Sequence, residues 1–168
     1  MRRLLALGLV ILASGCTPVY KTKQVSAQQL TRGSLPRLQC GYRLAPIQDM
    51  RKNDQAGTLD DVNYRIDNMS QVLADQLAVA GWSQDSAQPL VSIEVHHLYV
   101  ITRGVTRVPN AAYRVTIGDR APMAMRAQVP RSNYWGASEQ SGYDSLAEAM
   151  HQANLQLIAE LNRSCRTR

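Results

Sequence analysis

Residues 90–101 read Leu-Val-Ser-Ile-Glu-Val-His-His-Leu-Tyr-Val-Ile, the longest β-type pattern in the chain. Side chains alternate across a strand, so Val91, Ile93, Val95, His97 and Tyr99 are expected on one face. Ser92, Glu94, His96 and Leu98 are then expected on the other. Such a strand needs pairing partners and a cover for its apolar face. The rest of the sequence is read for both.

Leu38 to Ile47 alternates well enough for a first strand, and Gln48 to Asp61 reads as a polar loop. A helix follows, with Asp67 and Asn68 as candidate N-caps. Met69, Val72, Leu73, Gln76, Leu77 and Ala80 fall on one side of it, and Gly81 suits a left-handed C-terminal cap. After the central run, a turn around Arg103-Gly104 and Pro109-Asn110 leads into a strand over Ala111 to Ile117. Gly118-Asp119-Arg120 turns the chain into a strand over Met123 to Val129. Ser132 to Gly142 reads as a loop or irregular edge segment. The last helix is opened by the capping-box pattern Ser145-x-x-Glu148, and Leu146, Met150, Ala153, Leu157 and Leu161 keep helical spacing down to Cys165. The order β-α-β-β-β-α predicts an α+β, two-layer sandwich. Its four-stranded mixed sheet has a right-handed crossover between the first two strands and carries both helices on one face. The uncovered face is expected to bear Glu94, His96, Arg114, Arg126 and Arg43.

The chain has 168 residues, which suits one compact domain with extensions. Met1-Arg2-Arg3 is a short basic start, Leu4 to Leu12 an apolar run of nine, and Ala13-Ser14-Gly15 leads into Cys16. The run is too short to span a bilayer and reads as an export signal. Its ending resembles the bacterial lipoprotein signal, in which the Cys is acylated and becomes the mature N-terminus. The alternative is an ordinary secretory signal with an incidental Cys. Residue 17 is Thr, and the lipoprotein sorting rule reads Asp at that position as retention at the inner membrane. The resemblance therefore implies the periplasmic face of the outer membrane. The expected organisation is a signal peptide over 1–15, a lipidated Cys with a flexible tether over 16–38, and one periplasmic domain over 39–168. Fully extended, the tether would reach about 70 Å.

There is no Phe, and Lys plus Arg exceed Asp plus Glu by 19 to 13. Three cysteines are too few for a disulfide scaffold or a four-thiolate zinc site. In an oxidising compartment Cys40 and Cys165 are expected to pair, the alternative being two free thiols.

Several features together resemble a known family. A lipobox and tether precede Ile47-Gln48-Asp49-Met50-Arg51. A helix reading Val72-Leu73-Ala74-Asp75-Gln76-Leu77 ends on Ala80-Gly81-Trp82. Then come Val91-Ser92-Ile93-Glu94-Val95, Leu98-Tyr99 and a Tyr-x-Val strand from Tyr113. Over roughly residues 38–163 this resembles the YajG-like outer-membrane lipoproteins. A looser likeness links it to the lipoprotein subunit of the lipopolysaccharide translocon and to auxiliary lipoproteins of ABC-transport complexes. These resemblances imply a non-enzymatic protein.

Among chemistry-bearing residues, His96 and His97 are adjacent and on a regular strand point to opposite faces, so they are not expected to share a metal ion. No nucleophile triad, nucleotide-binding glycine pattern or metalloprotease helix is present. No cofactor or metal is expected. Arg103, Arg107, Arg114, Arg120, Arg126 and Arg131 all lie in the three-strand meander. Of these, Arg103, Arg107, Arg114 and Arg126 are the candidate contacts to an anionic glycolipid or an envelope protein, the alternative being a solvated basic surface. Asn133-Tyr134-Trp135-Gly136 reads as an aromatic loop, either packed or in contact with a partner. Nucleic acid is not an expected partner in the periplasm. The functional expectation is an accessory or structural lipoprotein of the envelope. The alternative is a ligand-binding subunit of a lipid or lipopolysaccharide transport system.

Overall fold

The computed structural model describes residues 21–52, 54–59, 62–103, 106–129, 131–132 and 139–166. In chain order the elements are β1 (Lys21–Gln24), α1 (Ala27–Leu30), β2 (Arg43–Leu44), β3 (Gln48–Asp49), β4 (Gln55–Leu59) and β5 (Val62–Arg65). Then follow α2 (Met69–Ala78), β6 (Leu90–Arg103), β7 (Thr106–Ile117), β8 (Met123–Gln128), β9 (Arg131–Ser132) and α3 (Glu139–Arg166).

The described strands form a single nine-stranded sheet with a main path β1-β5-β4-β6-β7-β8. Strands β2 and β3 join β6 in parallel, and β9 joins β7. The contacts β1–β5 and β4–β6 are parallel, while β4–β5, β6–β7 and β7–β8 are antiparallel. This corrects the expected four-stranded sheet with two helices: nine strands and three helices are present among the described residues. The physical reason is length. Strands β2, β3 and β9 have two residues each, and β1 has four, too few to show a period of two. The β4–β5 pair falls inside and just beyond the stretch that reads as a polar loop, because most of its described residues are exposed or only partly buried.

The expected tether is corrected too. Residues 21–38 belong to the folded domain. Strand β1 pairs with β5 from Lys21↔Val62 to Gln24↔Arg65. Ser26 caps α1 reciprocally with Gln29: the Ser26 N–H donates to Gln29 Oε1 at 2.8 Å, and the Gln29 N–H to Ser26 Oγ at 3.4 Å. Val25 and Leu30 enter the core, and burying a side chain of Leu30's size contributes about 1.5–3 kcal/mol. Gln76 Nε2 donates to the Leu30 carbonyl at 2.9 Å, and the Leu38 N–H donates to the Ala80 carbonyl at 2.8 Å.

Helix α2 lies where its apolar spacing predicts, burying Met69, Val72, Leu73 and Leu77. Asn68 precedes it in a left-handed conformation, φ 51°, without a side-chain cap. Past its end, Trp82 Nε1 donates back to the Leu77 carbonyl at 2.8 Å. Helix α3 begins at Glu139, well before the Ser145 start that the capping-box pattern suggests. The Ser145 hydroxyl donates to the Ser141 carbonyl at 2.7 Å, the bond of a residue already inside a helix. The earlier turns bring in Tyr143, which meets Tyr64 edge-on at 5.3 Å between ring centres. Helix α3 packs across β6, β7 and β8, closing one core over Ile93, Val95, Leu98, Val115, Ile117, Leu146, Met150 and Leu157.

Candidate functional site

Strand β6 pairs regularly with β7 until Val95↔Tyr113, and then the register shifts so that His97 lies opposite Ala112. This is a β-bulge at His96, and it reverses the alternation. Before it Val91, Ile93 and Val95 are buried; after it Leu98 and Val100 are. The expected placement of His97 and Tyr99 with the core set, and of Leu98 outside, is thereby corrected. His96, His97 and Tyr99 line one cleft, and His97 meets Tyr99 edge-on at 5.7 Å.

The cleft has a volume of about 420 Å³ and is also lined by Arg51, Lys52 and Gly57. Pairing of β3 with β6 at Gln48↔Glu94 and Asp49↔Val95 sets the segment carrying Arg51 beside the bulge. Gly57 lies opposite Val100 where β4 meets β6. Its φ is +99°, and a Cβ there would stand 2.0 Å from the Val100 carbonyl oxygen, so only glycine allows this approach.

The Arg51 side chain is 5% exposed. Its Nε and Nη2 donate to the two Asp49 carboxylate oxygens at 2.9 and 2.8 Å, and Nη2 also donates to the Ile66 carbonyl at 2.8 Å. Partial burial works to raise the pKa of Asp49, but the hydrogen bonds and charge of Arg51 outweigh it and hold the carboxyl below its usual value. Arg51 Nη1 is buried and has no hydrogen-bond partner among the described residues. Arg51 was legible in the sequence only as part of the Asp49-Met50-Arg51 spacing, which places two side chains of opposite charge on one side of an extended segment.

Beside the cleft, Glu94 Oε2 lies 3.0 Å from His96 Nε2 and 3.8 Å from Arg114 Nη1. Glu94 and Arg114 are direct cross-strand neighbours. Arg114 is 55% exposed along its side chain, and Arg126, opposite Ala112 on β8, is exposed as well. Arg43 is half-buried at the end of β2, where its Nε donates to the Gln88 carbonyl at 3.0 Å.

Arg107 is a correction to the expected anion contacts. It is 4% exposed, with its guanidinium on the Ser141 hydroxyl of α3. Strand β7 begins at Thr106, not Ala111, so Arg107 shares the inward parity of Ala111, Tyr113, Val115 and Ile117. Arg103 is the last residue of β6, and its side chain lies outside what is described, as do Cys16 and the 133–136 loop. The structure thus brings Arg114 and Arg126 onto the open face and removes Arg107 from it.

Cys40 and Cys165 are joined in a disulfide with Cα atoms 6.0 Å apart. Around it the Gln39 N–H donates to Asn162 Oδ1 at 2.8 Å, Asn162 Nδ2 to the Arg37 carbonyl at 3.2 Å, and the Tyr42 hydroxyl to the Leu161 carbonyl at 3.0 Å. Among the described residues no group of three or more His, Cys, Asp or Glu side chains gathers as a metal site. No helix among them is long and apolar enough to cross a membrane.

The layout is a mixed sheet covered on one face by a long C-terminal helix and open on the other. It is similar to that of protein XCC0632 of Xanthomonas campestris, of the DUF330 family. The TM-score is 0.60 at 10% identity, over 88% of this chain and 97% of that one. A much weaker structural match is the rare lipoprotein B of Shewanella oneidensis, with a TM-score of 0.32 at 7% identity, over 72% of this chain and 93% of that one. No protein-family model matches the chain, and no curated protein does. What the chain shares with the Xanthomonas protein is the fold.

Proposed function

We propose that this chain is a non-enzymatic lipoprotein of the bacterial cell envelope. In this reading acyl chains on Cys16 anchor it to the periplasmic face of the outer membrane, and it acts there as an accessory or structural component. The observation that carries the reading is the basic start, apolar run and small residues ending on Cys16. The Cys40–Cys165 disulfide supports it, because such bonds persist in oxidising compartments. The resemblance to YajG-like lipoproteins in the order of motifs agrees with it. The open sheet face with Arg114 and Arg126 is the surface offered to a partner.

Mass spectrometry of the mature N-terminus tests the anchor. Acylated Cys16 is expected, and an unmodified N-terminus or a cytosolic product would overturn the reading. Crosslinking in cells, with Arg114 and Arg126 reversed in charge, tests the surface. Loss of the envelope partner from the reversed variant is expected, and an unchanged set of crosslinks refutes it. The cleft beside His96 favours a second reading, a ligand-binding subunit of a lipid or lipopolysaccharide transport system.

A further inference from the structure

The cleft at the bulge gathers nitrogen donors from two separate parts of the chain. Arg51 and Lys52 follow β3, His96 and His97 sit at the bulge of β6, and Gly57 of β4 completes the wall. Among the described residues no acidic side chain lines it. The neighbouring carboxylates among the described residues are engaged: Asp49 holds the Nε and Nη2 of Arg51, Glu94 takes His96 and Arg114, and Asp54 pairs with Arg65. Asp49 offsets the charge of Arg51, so the exposed Lys52 supplies the net positive charge. Arg51 Nη1 is a charged donor taken out of water with no acceptor among the described residues. A buried group in that state is costly, and an incoming acceptor removes the cost.

We propose that this cleft binds a phosphate-type oxyanion through Arg51 Nη1, Lys52 Nζ and the His97 ring. Three donor groups suit a tetrahedral anion with several acceptor oxygens better than a planar carboxylate with two. The volume of about 420 Å³ leaves room for an organic group beside the phosphate. Tyr99 and the ring of His97 offer that group an aromatic wall. The bulge is what makes the site, because on a regular strand only one of the two histidines would face it. The site depends on these residues alone and not on the anchor. An unacylated Cys16 would overturn the envelope reading and leave this one standing.

The same chemistry reaches the cleft from a free phosphate ester or from a lipid headgroup. The full-length protein in non-ionic detergent is titrated with glycerol 3-phosphate, with a short-chain phosphatidylglycerol and with acetate. Calorimetry reads affinity, and the ring-proton NMR signals of His96 and His97 read location. Saturable binding of either phosphate probe is expected, with shifts at both histidines and at least tenfold weaker binding of acetate. Tighter binding of glycerol 3-phosphate identifies a soluble ester, and tighter binding of phosphatidylglycerol identifies a headgroup. Lys52→Glu, at an exposed position, is expected to weaken binding at least about tenfold, in line with the loss of a charged hydrogen bond. Arg51 also holds the fold together, so His97→Ala serves as the second variant and is expected to weaken binding severalfold. The proposal is overturned if neither phosphate probe binds, if binding leaves the histidine signals unmoved, or if both variants bind as the parent does.

Discussion

Replacing Cys40 and Cys165 with Ser removes a crosslink that closes a loop of 125 residues. In the chain-entropy treatment, loop closure at that length restricts the unfolded chain by an amount worth about 5 kcal/mol at 25 °C. The folded side changes little. The Gln39–Asn162 and Tyr42–Leu161 hydrogen bonds already hold the end of α3 against the segment around Cys40. The loss should therefore appear almost wholly as greater freedom of the denatured ensemble. Urea unfolding followed by circular dichroism is the assay. With a slope of about 2–2.5 kcal/mol per molar, the midpoint should fall by about 2 M. The slope itself should rise, because an uncrosslinked chain exposes more surface. A midpoint that moves by less than about 0.3 M, with the slope unchanged, would refute the reasoning.

Gly57→Ala sets a methyl 2.0 Å from the Val100 carbonyl oxygen at a positive φ. The conformation alone costs of order 1–3 kcal/mol, and the clash must separate β4 from β6. A melting temperature lower by about 10 °C is expected, and an unchanged melt would contradict the close approach. Asp49→Ala takes two hydrogen bonds from the buried Arg51, for an expected loss of about 2–4 kcal/mol in urea unfolding at neutral pH. The pKa of Asp49 is lowered in the fold, so its contribution is complete above the ordinary carboxylate value of about 3.9 and fades as pH falls through the lowered one. The unfolding curves of parent and variant should converge in acid, and a gap that persists to about pH 2 would contradict the pairing. Tyr113 is buried with no hydroxyl partner among the described residues, and burial pushes its phenol pKa up. Tyr113→Phe should then be neutral or stabilising by up to about 1 kcal/mol, where a hydrogen-bonded tyrosine would lose a similar amount.

How much of this was legible in the sequence depends on how many residues carried each signal. Helix α2 announces itself through Met69, Val72, Leu73 and Leu77, and the body of α3 through Leu146, Met150, Leu157 and Leu161. Each series repeats a spacing several times. Strand β6 is equally plain in extent, but its alternation cannot show a change of phase. Both Val95 and Leu98 fit an apolar reading on either side of the His96-His97 pair. The bulge comes from the register of pairing with β7, a relation between two strands that neither strand's own pattern shows, and it decides which residues line the cleft. Arg107 illustrates the cost of a misplaced boundary. Once the strand is extended back to Thr106, its inward direction follows from the same parity that places Tyr113 and Val115. Strand β1 and helix α1 are too short to carry a period, and their place is fixed by the edge of β5 and by the pocket that receives Leu30.

The docking of β1 on β5 also sets the reach of the molecule. With residues 21–38 committed to the fold, the chain between Cys16, where we propose the anchor, and the start of β1 runs only from 16 to 21. That stretch spans at most about 18 Å when fully extended. An anchored protein of this build would ride close to its bilayer, without the span to sample the depth of the periplasm. Whatever meets its open face would have to come down to the membrane surface.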